Sequence, residues 1–374
     1  MTPKRTRRRG RSMWLLALLA IAALFAAACS SDGDTESTDD GSSATPAPEA
    51  GDAPSDADIE SLSANIAGGG ASFPDAYYQA VNADFNDLAG SERVTYAKSG
   101  SSDGRSQLAA GTVDFAGSDS LPKDTETFDG TLLFFPTVAA PITVSYHLEG
   151  VEELNLSPDV IAGIFQAQIT TWNDPKIAAD NPAATLPATP IAVVHRSDGS
   201  GTTNNFTKFL AAAAPDVWTL GSGDEVNWPG STQGAEKNSG VAEVIKQTSG
   251  AIGYVDLADA GKAGLTFAAI GNPAGEFVQP SAKGVQAALE AATIAPDLTY
   301  NPLNSDGEGA YPITAPTWLL VIAEQSDAAK AETLRTYLRY LLTTGQQVAA
   351  ATGYVALPEA LAVDALAQID EITG

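Results

Sequence analysis

Short apolar runs that read as β-strands alternate with helical stretches along most of the chain, and this alternation restricts the fold more than any other feature. The runs include Val113 to Phe115, Ile191 to Val194, Ala251 to Val255 and Thr317 to Ile322. The pattern points to an α/β fold in which helices cover a sheet. Ser157-Pro158 supplies the N-cap and N1 residues of a helix ahead of apolar Val160, Ile161, Ile164 and Phe165. Ser326 opens a long helix to about Thr344, stopped by Gly345. Both read as packing helices. After about residue 60, roughly 310 residues remain, more than one core usually organises, which suits two lobes. There is no internal repeat.

The first 28 residues follow a different logic. Lys4, Arg5, Arg7, Arg8, Arg9 and Arg11 precede an apolar run from Met13 to Ala28, the layout of an export signal. The run ends at Ala26-Ala27-Ala28-Cys29, small residues directly before the only cysteine, which resembles a bacterial lipobox. On that reading residues 1–28 are cleaved and Cys29 carries acyl chains. The domain is then tethered to the bilayer at the extracytoplasmic face of the cell membrane and has no disulfide. The other reading is an uncleaved membrane helix with an incidental cysteine. Either one places the domain outside the cytoplasm.

Residues 30–60 hold ten acidic side chains, no basic ones and no apolar periodicity. Residues 29–58 therefore read as a disordered tether reaching roughly 30 Å as a random coil. A calcium loop is the sharper alternative, but the acidic spacing lacks the Gly and terminal Glu of that motif. The whole chain has a formal charge of −26. Without the signal, 14 basic residues face 46 acidic ones, a charge of −32. Such a surface repels nucleic acid and anionic bilayers. Any anion site must be local, built from backbone dipoles and a buried arginine, because salt screens surface charge beyond about 10 Å.

Four polar, Gly-rich segments fit that requirement: Gly68 to Pro74, Lys98 to Gly104, Asp114 to Ser120 and His195 to Phe206. Glycine lets the backbone approach an anion, helix-start N–H groups offer free donors, and hydroxyls add more. Each alone also reads as a plain loop. In the fourth, Arg196 follows a strand-like run, with Ser200, Gly201 and Thr202 at the next helix entrance. Arg196 can grip two oxygens, and Asp198 can hold its plane; a structural salt bridge between the two is equally compatible with the spacing.

In this order the segments resemble the phosphate-binding protein of the phosphate-specific (Pst) ABC transporter. GGGASFPDAYY is similar to the family's opening block, YAKSGSSDGRSQLAAGTVDFAGSDS to its second, and FFPTVAAPITVSY, TTWND, IAVVHRSDGSGTTNNF, GAIGYV and YPIT follow in register. The resemblance covers nearly all of the chain after the tether. It implies a two-lobed periplasmic-binding-protein fold, type II-like, with a ligand cleft between the lobes. One lobe is expected at 59–140 plus 309–374 and the other at 141–308. The implied ligand is inorganic phosphate, the implied partners are the membrane permease subunits of the importer, and no catalysis, cofactor or metal is expected.

Carried over by position, the resemblance implies that Ser72, Phe73 through its N–H, and Ser101 bind phosphate from the first lobe. From the second come Arg196, Ser200, Gly201 and Thr202, with Asp198 orienting Arg196. Asp119 would accept the proton that phosphate still carries at neutral pH. Sulfate has no such proton, so Asp119 would reject it. Ser72 stands where many relatives have Thr, Asp103 where Gly is frequent, and His195 where Arg is common. Asp103 reads as a helix cap rather than a charge weakening the site. His195, by strand alternation, points away from Arg196.

Two rival readings come from other classes. Gly100-Ser101-Ser102-Asp103-Gly104 fits GxSxG, which suggests a serine hydrolase, but the only histidines, His147 and His195, come too early in the chain for the α/β-hydrolase order. Two histidines and one cysteine also cannot furnish the usual zinc cluster of a phosphatase. Within the binding class, sulfate, molybdate or arsenate is the alternative ligand, and arsenate is protonated as phosphate is.

Overall fold

A computed structural model describes residues 53–374. The signal, Cys29 and most of the tether lie outside the described residues. Helix α1 (Asp56–Glu60) starts inside the stretch read as tether, closed by a capping box between Ser55 and Asp58.

Strands β1 (Ile66–Gly70), β2 (Val94–Lys98) and β3 (Phe115–Ser118) alternate with α2 (Asp75–Leu88) and α3 (Ser101–Ala109). The 15-residue β4 (Leu132–Tyr146) follows, then β5 (Asn155–Leu156), α4 (Pro158–Phe165) and α5 (Pro175–Asp180). Next come β6 (Ala192–Arg196), α6 (Gly201–Ala213), β7 (Gln233–Ala235), α7 (Lys237–Gln247), β8 (Ala251–Asp256) and α8 (Leu257–Ala263). The chain continues through β9 (Thr266–Phe267), β10 (Ala269–Gly271), β11 (Phe277–Val278) and α9 (Ala282–Glu290). It closes with β12 (Thr314–Ile322), α10 (Ala328–Leu342), β13 (Val355–Ala356) and α11 (Glu359–Gln368).

The main sheet runs β2-β1-β3-β12-β4-β8-β6-β7, so the expected α/β alternation is present. On one side β2, β1 and β3 are parallel; on the other β8, β6 and β7 are parallel. Strand β4 joins the two halves. Its residues Leu132 to Pro141 pair with β12, and Ile142 to Tyr146 pair with β8. The change of partner falls at Pro141, which has no N–H to offer a ladder. A second proline, Pro136, sits opposite Trp318 where the β4–β12 register shifts, and the shift leaves Thr137 free to meet the Tyr78 hydroxyl at 3.0 Å.

Helix α2 turns Tyr77, Tyr78, Val81 and Phe85 inward, and α10 answers with Leu334, Tyr337, Leu338 and Leu341 at helical spacing. Phe85 and Tyr337 meet edge to face at 5.4 Å. Ser157 is the N-cap of α4, as its sequence implied. Helix α10 is capped one residue later than expected: Asp327, not Ser326, accepts from the N–H groups of Ala329 and Lys330. An ionised carboxylate is a better acceptor there than a hydroxyl. Among the described residues no helix is long and apolar enough to cross a membrane.

In both halves the loops that follow the parallel strands open at the strands' C-terminal ends. This is where α/β sheets present free N–H groups to ligands.

Candidate functional site

Four such loops converge. The turn after β1 carries Ser72 and Phe73 into α2; the turn after β2 carries Ser101, first residue of α3; the end of β3 leads to Asp119; and β6 ends on Arg196 before α6. All of these side chains are buried, as are Ser200 and Thr202, and the four Gly-rich segments touch one another through Gly70, Ser101, Asp119 and Gly201, so they form one buried cluster and not four separate loops.

Arg196 and Asp198 form a forked pair, Nε to Oδ1 at 2.7 Å and Nη2 to Oδ2 at 2.5 Å. The fork occupies one edge of the guanidinium and leaves the Nη1 edge for another acceptor. Burial pushes the Asp198 carboxyl up, but Arg196 outweighs burial and holds it below the usual carboxylate range. Asp198 also accepts from the Lys237 N–H at 3.1 Å, so its plane is fixed from two sides.

At the entrance of α6 the free N–H groups are nearly all spent. The Thr203 N–H donates to Ser200 Oγ at 3.1 Å, the Asn204 N–H to the Ser200 carbonyl, and the Gly201 N–H to Ser101 Oγ at 3.1 Å. Among the described residues the Thr202 N–H has no acceptor, and neither has that of Phe73. Gly201 is required by contact across the halves: a Cβ there would lie 2.5 Å from Ser101 Oγ and 2.7 Å from Asp119 Cβ.

Asp119 faces this cluster. Its Oδ1 accepts from the Thr317 hydroxyl at 2.8 Å, its N–H donates to Ser101 Oγ at 3.2 Å, and its carbonyl accepts from Asn205 Nδ2 at 2.6 Å. Burial pushes the carboxyl up to about 7, although Thr317, Arg196 and Ser101 all pull the other way. A carboxyl so poised can accept or donate a proton near neutral pH.

A match to the PBP superfamily domain spans residues 37–344. The phosphate-binding protein PstS of Xylella fastidiosa strain Temecula1 is 37% identical over 305 residues, 80% of this chain and 83% of that one. The chain belongs to the PstS family. The PstS 2 of Mycobacterium tuberculosis is 31% identical, over 75% of this chain and 80% of its own. Among solved structures, a high affinity periplasmic phosphate-binding protein (PfluDING), bound with phosphate at pH 8.5, superposes with a TM-score of 0.68 and 25% identity. That match covers 81% of this chain and 93% of the other.

Within this PstS chain, sequence reasoning missed Asn238 and Thr317. Asn238, at the start of α7, donates from both its N–H and its Nδ2 to Ser72 Oγ at 3.3 Å, and from Nδ2 to Thr202 Oγ1 at 3.2 Å. Lys237, with φ of 63°, bends the chain so that Asn238 can reach across. That left-handed lysine has no local signature in sequence. Thr317 lies in a buried apolar run, where it reads as core.

Asp103 is not the cap it was expected to be. The N-cap of α3 is Gly100, and Asp103 sits exposed in the first turn, where it favours the helix only through the dipole. His195 is structural as expected: its ring stacks on Trp228 at 4.9 Å, and its Nδ1 meets the Arg196 carbonyl at 2.8 Å. The GxSxG serine, Ser102, donates to Asp224 Oδ2 at 2.8 Å and has no histidine partner among the described residues.

Proposed function

We propose that the chain captures inorganic phosphate between the two halves of its sheet and delivers it to the permease subunits of an ABC importer. It works outside the cytoplasm and performs no chemistry on the anion. The observation that carries this reading is the pairing of unspent donors with one poised carboxyl in a buried site. Arg196 offers its open edge, Thr202 and Phe73 their N–H groups, and Ser72, Ser101 and Ser200 their hydroxyls, while Gly201 admits the close approach. Asp119 faces them. Phosphate and Asp119 together always hold at least one proton to share near neutral pH, whereas sulfate brings none. PstS relatives and the phosphate-bound neighbour support the same ligand.

The lobes of this reading are 59–140 with 309–374, and 141–308. The change of partner along β4 at Pro141 supports a hinge there, and closing around it would bury the anion. Cys29 acylation would hold the domain at the membrane, with residues 29–58 as the tether. The Ala-Ala-Ala-Cys stop supports that part, and loss of membrane retention in Cys29→Ser tests it.

Calorimetric titration of the anion-stripped chain with phosphate, arsenate and sulfate tests the ligand. At pH 8 phosphate should bind tightly and sulfate not at all, and Asp119→Asn should narrow the gap. Heat from sulfate but not phosphate would overturn the assignment.

A further inference from the structure

We infer that Arg105 and Asp224 form a latch across the cleft that sets how long the closed, loaded state lasts, although neither is in the anion-binding set. The inference rests on the capture reading above. Arg105 stands on α3, on the half built from β1 to β3; Asp224 lies between α6 and β7, on the other half. Arg105 Nη2 lies 2.5 Å from Asp224 Oδ2, with side-chain exposures of 0% and 1%. Ser102, also on α3, adds its hydroxyl to the same Oδ2 at 2.8 Å. Among the ion pairs of the described residues, this one alone joins the two halves.

Each partner is also anchored at home. Arg105 reaches Glu126 through Nε at 2.6 Å and Nη2 at 3.0 Å, and Ser118 and Ser120 through Nη1 at 2.9 and 2.8 Å. Asp224 Oδ1 accepts from Asn204 Nδ2 at 2.9 Å, and its carbonyl accepts the Ser200 N–H at 3.0 Å. When the halves part, neither charge is orphaned: Arg105 keeps Glu126 and Asp224 keeps Asn204. Opening therefore breaks the cross-pair together with the hydrogen bonds that span the cleft, Ser102 to Asp224, Gly201 to Ser101 and Asn238 to Ser72, without leaving either charge buried and alone. A dry pair of this kind resists separation far more than an exposed one, because water must reach it before the halves can move. Burial pushes the Asp224 carboxyl up, but Arg105 outweighs burial and keeps it ionised.

The geometry also ties the latch to the anion. Asp224 holds Ser200, the N-cap of α6, and Ser102 neighbours Ser101, which takes the Gly201 N–H. Seating Asp224 on Arg105 brings the α6 entrance onto α3. Capture happens in the open form, before the pair exists, so the latch acts on release and not on arrival.

Stopped-flow phosphate kinetics on the purified full-length chain test this. Arg105→Met and Asp224→Asn should each speed release at least ~10-fold while association stays within about twofold. Arg105→Lys should fall between, since an ammonium keeps the charge but cannot fork to Glu126 and Asp224 together. In parallel, hydrogen exchange of the phosphate-loaded variants should quicken at the Ser102, Gly201 and Asn238 amides, whose acceptors lie across the cleft, and not in the β4–β12 ladder. Unchanged release in both charge-removing variants overturns the latch, and so does exchange that quickens equally in the ladder. If the wild type binds no phosphate, the capture reading fails by itself, and exchange at the same three amides in the anion-free chain decides whether the pair holds the halves together: no difference between wild type and variants overturns it.

Discussion

The Thr317 hydroxyl donates to Asp119 Oδ1 at 2.8 Å from a strand 198 residues further along the chain. The bond stabilises the ionised carboxylate, against the burial that pushes Asp119 up to about 7. Thr317 thereby sets the pH at which Asp119 changes from proton acceptor to donor.

Sulfate rejection should depend on pH through this pair. Above about 7 the ionised Asp119 opposes sulfate; below it the neutral carboxyl can donate to a sulfate oxygen, so weak binding should emerge as pH falls. Thr317→Val removes the bond and should move the onset of sulfate binding to higher pH. Titrations with sulfate at pH 6, 7 and 8 would read the onset, and identical onsets in the two proteins would count against Thr317.

Stability without anion should carry the same signature. Asp119 binds its proton more tightly folded than unfolded, so its favourable contribution is complete below the unfolded value near 3.8. It is lost as pH rises towards about 7. Denaturant unfolding across pH 4 to 8 should show a steeper fall for wild type than for Asp119→Asn, whose amide does not titrate. Parallel curves would contradict the raised value.

Gly201→Ala should weaken phosphate binding without unfolding the chain. The new Cβ would press on Ser101 Oγ and Asp119 Cβ, both on the opposite half, so only closure suffers. Overpacking of this kind costs about 1–3 kcal/mol, or roughly 5- to 150-fold in affinity. Calorimetry should register the loss while the ligand-free melting temperature stays close to wild type.

Asn238→Leu should lower affinity through the second donor set. It removes the amide that bridges Ser72 and Thr202 and leaves their hydroxyls with one partner fewer in a dry site, a loss of about 1–3 kcal/mol. Titration of the variant beside Asn238→Asp, which keeps the size and adds repulsion, separates lost hydrogen bonding from charge. The aspartate should bind phosphate more weakly still.

How much of this was legible beforehand depended on how local each signal was. The alternation of strands and helices, the Ser157 cap and the four Gly-rich turns are written in neighbouring residues, because backbone conformation and capping are decided within a few positions. The α10 cap missed by one residue for the same reason: Ser326 and Asp327 are both good caps, and the choice rests on which side chain reaches two N–H groups. Arg196 with Asp198 was visible as a pair two residues apart, although its spacing could not distinguish a structural bridge from an anion clamp.

What the sequence by itself determined is thus the α/β class, the acidic surface that forces any anion site to be local, and the Gly-rich segments whose turns meet in the buried cluster. The tertiary structure alone decided which distant groups complete the site. Thr317 beside Asp119, Asn238 beside Ser72 and Arg105 beside Asp224 join residues more than 100 positions apart. Thr317 reaches Asp119 because β12 pairs with β3, and the other two contacts arise only when β4 changes partner and brings the strand ends of both halves together. A threonine in an apolar run or an arginine in a helix carries no mark of the partner that folding will bring to it.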